Sequence, residues 1–204
     1  MIYYYILYYY IIMEPSIINK NDKILISASI LTSVLLIPSL DKKISDYMRE
    51  TNLHKNAIIN AVMKGGNIWG VGSVCVSILM YIILKNKEIG LNALKATLIG
   101  TTVARCLSVL IGRARPFASP DNASNFNLLK GVKYSLASLP SGHATVAFAF
   151  AAAVDKSTPN SLMKTALLYI MASITAISRV YHDKHWVSDV VMGGTLGYLI
   201  GSKI

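Results

Sequence analysis

The stretch IGLNALKATLIGTTVARCLSVLIGRARPF, residues 89–117, sets a long apolar run against an abruptly polar end. From Ile89 to Gly112 it is nearly free of charge and falls within the roughly 17–25 residues that cross a bilayer's hydrocarbon core as a helix. It then gives way to Arg113 and Arg115, and Pro116 stops the helix. Similar runs recur at Ile24–Leu40, Ile68–Leu84, Leu162–Ser178 and Val187–Ile200, with a shorter one at His143–Val154. A water-soluble protein would have to cover these runs with polar sequence. The 204 residues are 53% hydrophobic and only 15% charged, which leaves too little to do so. The sequence therefore predicts an all-α transmembrane helical bundle of about six spans.

The predicted helices lie at about 24–40, 68–84, 89–112, 143–154, 162–178 and 187–202, with residues 24–204 as a single integral-membrane domain. Between the first two, DKKISDYMRETNLHKN reads as a surface helix or loop, and KGGN, residues 64–67, as a break. A polar loop at about 113–140 carries RPFASPDNASN, rich in turn formers. Residues 1–23 stay unassigned. Their MIYYYILYYYIIMEP lacks the positive n-region of a secretory signal. Tyrosine favours the membrane boundary, so an interfacial segment, a partial span, a misplaced start and a disordered tail all remain open.

Net charge is +10. It suits loop lysines over anionic lipid and equally an anionic substrate. The lysines are scattered between spans rather than interleaved with stacking aromatics, so no nucleic-acid partner is expected. Cys75 and Cys106 lack metal or redox spacing and read as small buried residues. Lys and Arg counts by loop show no clear asymmetry that would orient the chain.

The helix order brings three polar clusters to one membrane face. The first is GRARPF, residues 112–117, where Arg113 and Arg115 either grip a tetrahedral oxyanion or anchor a helix end at the headgroups. The second is LPSGHATVAFAF, residues 139–150. Ser141 and Gly142 lead into a helix N-terminus, whose unpaired N–H groups attract anions. His143 sits at its mouth, placed to hand over a proton; alternatively, Ser141 is a plain helix cap. The third is RVYHDKHWVSD, residues 179–189. His185 and Asp189 are four apart at a helix start and share a face. The carboxylate can fix the imidazole tautomer and leave the other nitrogen as a nucleophile, with Arg179 nearby for an oxyanion. A metal site would need His182 with His185 and a carboxylate. The surrounding arginines favour an anion instead, so no metal or other cofactor is expected, and His182 and Asp183 become secondary.

Arg115-Pro116, then Pro140-Ser141-Gly142-His143, then Ser178-Arg179 through His185 to Asp189, resembles the three-part signature of the type 2 phosphatidic acid phosphatase (PAP2) superfamily. The superfamily also holds vanadium haloperoxidases and bacterial acid phosphatases. The resemblance covers about residues 68–202, and the second and third parts match fully. It implies a PAP2/chloroperoxidase-like bundle hydrolysing a lipid phosphomonoester or diphosphate. His185 is then the nucleophile that forms a phosphohistidine, Asp189 orients it, and His143 protonates the leaving oxygen. Arg115, Arg179, Ser141 and Gly142 bind the phosphoryl group, with Arg113 a further candidate. Phosphatidate, phosphatidylglycerophosphate, polyprenyl diphosphate and lipid A phosphate all suit, as does a bacterial inner membrane with the site facing the periplasm. The family's first part opens with a lysine seven positions before its arginine, and here that position is Ser108. The serine keeps a non-catalytic lipid-phosphate-binding member open beside a phosphotransferase. Oligomeric state is not legible.

Overall fold

The computed structural model describes residues 19–204, so the tyrosine-rich start lies outside the described residues. Seven α-helices occur among the described residues: α1 (Lys20–Leu36), α2 (Lys42–Glu50), α3 (Ala57–Ile83), α4 (Lys87–Ile111), α5 (Gly142–Ser157), α6 (Leu162–Tyr181) and α7 (Val187–Lys203). No strand occurs among them beyond an isolated bridge between Arg113 and Phe126.

Local chemistry sets the helix ends. The Asn19 side chain accepts from Asp22 N and Asp22 returns the bond to Asn19 N, closing a capping box on α1. Asn56 and Asn86 cap α3 and α4 without a returning bond: the Asn56 side-chain oxygen accepts from Ile58 N and Ile59 N, and that of Asn86 from Glu88 N. At the end of α4, Gly112 adopts the left-handed conformation at φ 61°. A Cβ there would lie 1.6 Å from the Asn127 carbonyl oxygen, so only glycine lets the following loop fold back on the helix.

The packing is small-inside and large-outside. On α3 the buried positions are Gly66, Gly70, Ser73 and Ser77, whereas Ile58, Ile68 and Ile83 are exposed. In lipid there is no gain in hiding aliphatic side chains from the solvent, and close backbone approach through small residues holds helices together instead. α5 lies at the centre against α3, α4, α6 and α7. Gly193, Gly197 and Gly201 of α7 form a stripe flush against it. A Cβ on Gly197 would meet the Thr145 carbonyl oxygen at 2.1 Å, and one on Gly201 the Ala149 oxygen at 2.3 Å.

The α1–α2 region (Lys20–Lys55), α3, α4 and α6 are long and apolar enough to cross a membrane. α5 and α7, with 16 and 17 residues, are about 24–26 Å long and largely enclosed by their neighbours.

Three expectations are corrected. KGGN does not break the chain, because α3 runs through it: Gly66 packs directly on Ile174 of α6, so the glycine serves close approach. DKKISDYMRE continues the first helix through a wide turn at Ile37–Asp41, where Pro38 removes a backbone donor, into α2. Cys75 and Cys106 are free thiols on the exposed outer surface rather than buried.

Candidate functional site

The facing ends of α4, α5, α6 and α7 and the α1–α2 joint meet at one end of the bundle, and the polar side chains of all three motifs gather there. The arrangement begins with Asp189, fully buried in the first turn of α7. It accepts from Trp186 N at 2.9 Å, from Ser138 Oγ at 2.5 Å and from Arg113 Nη1 at 2.5 Å. A carboxylate with three donors is held in one orientation as an anion.

Arg113, a further candidate for the phosphoryl group from sequence, is turned to structural partners here. It is fully buried, and its donors are spent on Asp41 Oδ2, Asp189, Ser188 Oγ and the Ala123 carbonyl. Burial alone would lower its pKa, but the Asp189 and Asp41 carboxylates outweigh that and raise it. Asp41 also accepts from Ser188 N and Oγ, tying the α1–α2 joint to the start of α7. Sequence reading missed Asp41; its only signal was a lone acid at the end of an apolar run.

His185 follows α6 by a tight turn, in which the amides of Lys184 and His185 donate to the Arg179 carbonyl. Its ring is 2% exposed. Nδ1 lies 2.7 Å from the Ser138 carbonyl and 3.7 Å from Asp189 Oδ2. The direct acceptor is thus the carbonyl rather than the carboxylate expected from sequence. Asp189 acts on the same residue from the other side, through the Ser138 hydroxyl. Either way Nδ1 carries the proton and Nε2 has the lone pair. Burial first, then the charges of Arg115 and Arg179 against the pull of Asp189, push the His185 pKa down to about 4.

Arg115 is held by the Tyr134 hydroxyl and the Lys184 and Ala137 carbonyls, with its guanidinium carbon 3.9 Å from the Tyr134 ring centroid. Arg179, on the last turn of α6, is held by the Asn67 side-chain oxygen. Ser141 is fully buried and its amide donates to the Asp189 carbonyl, which fixes the start of α5 against α7. Its hydroxyl does not cap α5. Arg115 Nε, Arg179 Nε and Ser141 Oγ are buried without a hydrogen-bond partner among the described residues. Such groups are costly unless a ligand or water completes them, and one comes from each of the three motifs.

A cavity of about 310 Å³ adjoins this cluster; its lining includes Arg115, Gly142, His143 and His185 together with apolar Val71 and Ala104, while Arg179 and Ser141 stand behind the wall. A Cβ on Gly142 would meet nothing within 4 Å, so the space beside this backbone is open to a ligand. His143 packs on Gly70 of α3, where a Cβ would lie 2.6 Å from its ring. His182 and Asp183 do not enter the cavity wall: His182 Nδ1 is 2.7 Å from the Ser178 carbonyl, and Asp183 accepts from Ser45 of α2. Ser108 lines the cavity, with its hydroxyl donated to the Arg105 carbonyl.

Fold and cavity define an all-α membrane bundle with a cationic, histidine-bearing pocket at one end. The PAP2 superfamily profile matches residues 89–203, more than half of the chain, and the chain belongs to this superfamily. Two solved structures share the fold. A transmembrane PAP2-type phosphatidylglycerolphosphate phosphatase from Bacillus subtilis is 22% identical, with a TM-score of 0.66 over 88% of this chain and 92% of that one. LpxE from Aquifex aeolicus is also 22% identical, with a TM-score of 0.62 over 80% of this chain and 93% of that one. A lipid A 1-phosphatase from Porphyromonas gingivalis is 40% identical over 65 residues, which are 31% of this chain and 15% of that relative's length. The chain is an integral membrane protein.

Proposed function

We propose that this protein is a membrane-embedded phosphatase that hydrolyses a lipid phosphomonoester or diphosphate through a phosphohistidine. The observation that carries the reading is the set of three buried donors without partners, Arg115 Nε, Arg179 Nε and Ser141 Oγ, in the motifs that surround His185 and His143. Together with the N–H groups at the start of α5, they suit the oxygens of a phosphoryl group.

In the first step His185 Nε2 attacks phosphorus as the bond to the leaving oxygen breaks, and His143, protonated once the negative charge of the bound phosphoryl group offsets the two arginines, gives that oxygen its proton. The Ser138 carbonyl holds Nδ1–H throughout, and Asp189 stabilises the positive charge that the ring gains. Arg115 and Arg179 take up charge on the equatorial oxygens, the contribution expected to dominate phosphoryl transfer. In the second step water attacks phosphorus, His143 accepts its proton, the N–P bond breaks and phosphate leaves. The two arginines supply the charge that a metal ion would otherwise provide, so the reading needs none.

The similarity to a phosphatidylglycerolphosphate phosphatase, to LpxE and to a lipid A 1-phosphatase supports a lipid substrate. We place the protein in a bacterial inner membrane with the pocket facing the periplasm. The purified protein should release phosphate from lipid phosphates in the presence of EDTA, be blocked by vanadate, and lose at least 10³-fold in kcat as His185→Ala, a loss of the size that removing a nucleophile brings. Activity abolished by EDTA and restored by added metal would sink the proposal. Ser108 favours a second reading, since a neutral side chain stands where the family has a cation. Lipid-phosphate binding without turnover would decide for it, and phosphate passed to an added alcohol would decide for a phosphotransferase.

A further inference from the structure

Arg105 is a cation that the chemistry above does not use. It lies on α4 well before the helix end, inside a segment long and apolar enough to span the membrane. Arginine at such a depth is costly and is retained where it faces a polar cavity or partner. Arg105 lines the same cavity as His143, His185 and Arg115, together with Ala104 and Val71.

Its guanidinium is positioned rather than loose. Nη1 donates to the Gly131 carbonyl at 3.2 Å and Nη2 to the Val132 carbonyl at 3.2 Å. Those carbonyls are within reach because Gly131 lies directly on α4, where a Cβ would be 1.8 Å from the Ser108 carbonyl oxygen. The Gly131 amide donates to the Val109 carbonyl and closes the contact. A guanidinium has five N–H donors, so several stay available after these two bonds. No carboxylate pairs with Arg105 among the described residues, while its charge is felt at Arg115. The cavity wall thus carries two arginines, Arg115 and Arg105, of which only Arg115 belongs to the three motifs.

We infer that Arg105 is a specificity-determining residue that binds a second anionic group of the substrate, next to the phosphoryl group that is cleaved. The inference rests on the proposed phosphatase reading and narrows it to lipids whose headgroup carries two phosphate-type anions. These are either a diphosphate or a phosphomonoester joined to a phosphodiester. In a phosphomonoester joined to a phosphodiester the second anion takes no part in the bond cleavage, so Arg105 acts there on binding more than on turnover; in a diphosphate it is the leaving group, so Arg105 also acts on the charge that this group gains.

The test compares wild type, Arg105→Gln and Arg105→Lys in detergent–lipid micelles. The substrates are polyprenyl diphosphate, phosphatidylglycerophosphate, polyprenyl monophosphate and phosphatidate. Arg105→Gln should raise KM about tenfold for the two doubly anionic lipids, the loss expected of a charged contact, and less than about twofold for the two others. kcat should change little for phosphatidylglycerophosphate and fall for polyprenyl diphosphate, whose leaving group is the second anion, and Arg105→Lys should recover part of the difference. A uniform change across all four lipids would reduce Arg105 to a headgroup anchor and overturn the inference. A loss confined to polyprenyl diphosphate, or to phosphatidylglycerophosphate, would identify which kind of second anion is read. A second arm needs no turnover. Inorganic diphosphate should raise the melting temperature of the wild type more than inorganic phosphate does, and Arg105→Gln should lose that preference. No preference in the wild type, or the same preference in the variant, overturns the inference. Failure of phosphate release alone would instead count against the phosphatase reading.

Discussion

The imidazole of His185 is buried in the cavity wall, and that enclosure sets both its tautomer and its charge. Nδ1 is committed to the Ser138 carbonyl at 2.7 Å. Protonating Nε2 would place a full cation in a buried site beside two arginines, so the pKa falls from 6.5 to about 4. The sign of the consequence follows from proton counting. Between pH 6.5 and about 4 the unfolded chain binds a proton that the folded site refuses. Stability is therefore full above 6.5 and declines as pH falls through that window. The full effect is roughly 3 kcal/mol. Thermal unfolding in detergent should show wild type losing more stability from pH 7 to pH 4.5 than His185→Asn loses, whatever the offset between the two at pH 7. Equal pH dependence in both proteins would refute the depressed pKa. Arg113 shows the complementary rule: fully buried, it is kept charged because Asp41 and Asp189 flank it at 2.8 and 2.5 Å. Its proximity to Arg115 in the sequence says nothing of this, since the two alternate side chains leave the end of α4 in different directions.

Among the helices, the contact between α5 and α7 decides how well the residues at their ends are aligned. Ser141 at the start of α5 and Asp189 at the start of α7 are joined by a backbone hydrogen bond of 3.0 Å. Below them Gly193, Gly197 and Gly201 keep the two helices in backbone contact. Gly197→Ala would force a methyl to within 2.1 Å of the Thr145 oxygen, so the helices must separate. The change should cost about 1–3 kcal/mol as overpacking and lower kcat, because Ser141 moves relative to His185. Gly65→Ala is the control: nothing lies within 4 Å of its Cβ, and it should gain about 0.5–1 kcal/mol from helix propensity. Unfolding midpoints of the two variants on the same preparation would check both signs. The glycines also explain what was legible. Apolar runs and the turn residues at 113–140 located the helix ends within a few residues, except for the start of α3, which lies at Ala57 rather than near residue 68. KGGN was misread because a sequence does not distinguish a glycine that breaks a helix from one that lets Ile174 approach. The three motifs were legible as clusters on a common face. Asp41, Ser138, Asn67 and Tyr134 were not, since each contributes through hydrogen bonds to residues well separated from it in the chain.

For the molecule as a whole, the bundle has two ends of different character. One carries the cavity, the folded 113–140 loop and the turn between α6 and α7. The other carries the short links between α3 and α4 and between α5 and α6, where Lys164 pairs with Asp155 at 3.0 Å and Asn92 donates to Ser157. The loop charges do not orient this arrangement, since lysines occur at both ends. The proposed periplasmic site does orient it. With Cys75 and Cys106 replaced by serine, a single cysteine at Lys133, in the cavity-side loop, should react with a membrane-impermeant maleimide in intact spheroplasts. One at Asn160, between α5 and α6, should react only after the membrane is opened. Both replaced cysteines lie exposed on the outer surface of α3 and α4, so removing them leaves the cavity wall unchanged. The reverse labelling pattern would place the pocket on the cytoplasmic side. The substrate would then have to be a lipid phosphate presented in the inner leaflet, while the chemistry at His185 would stand as argued.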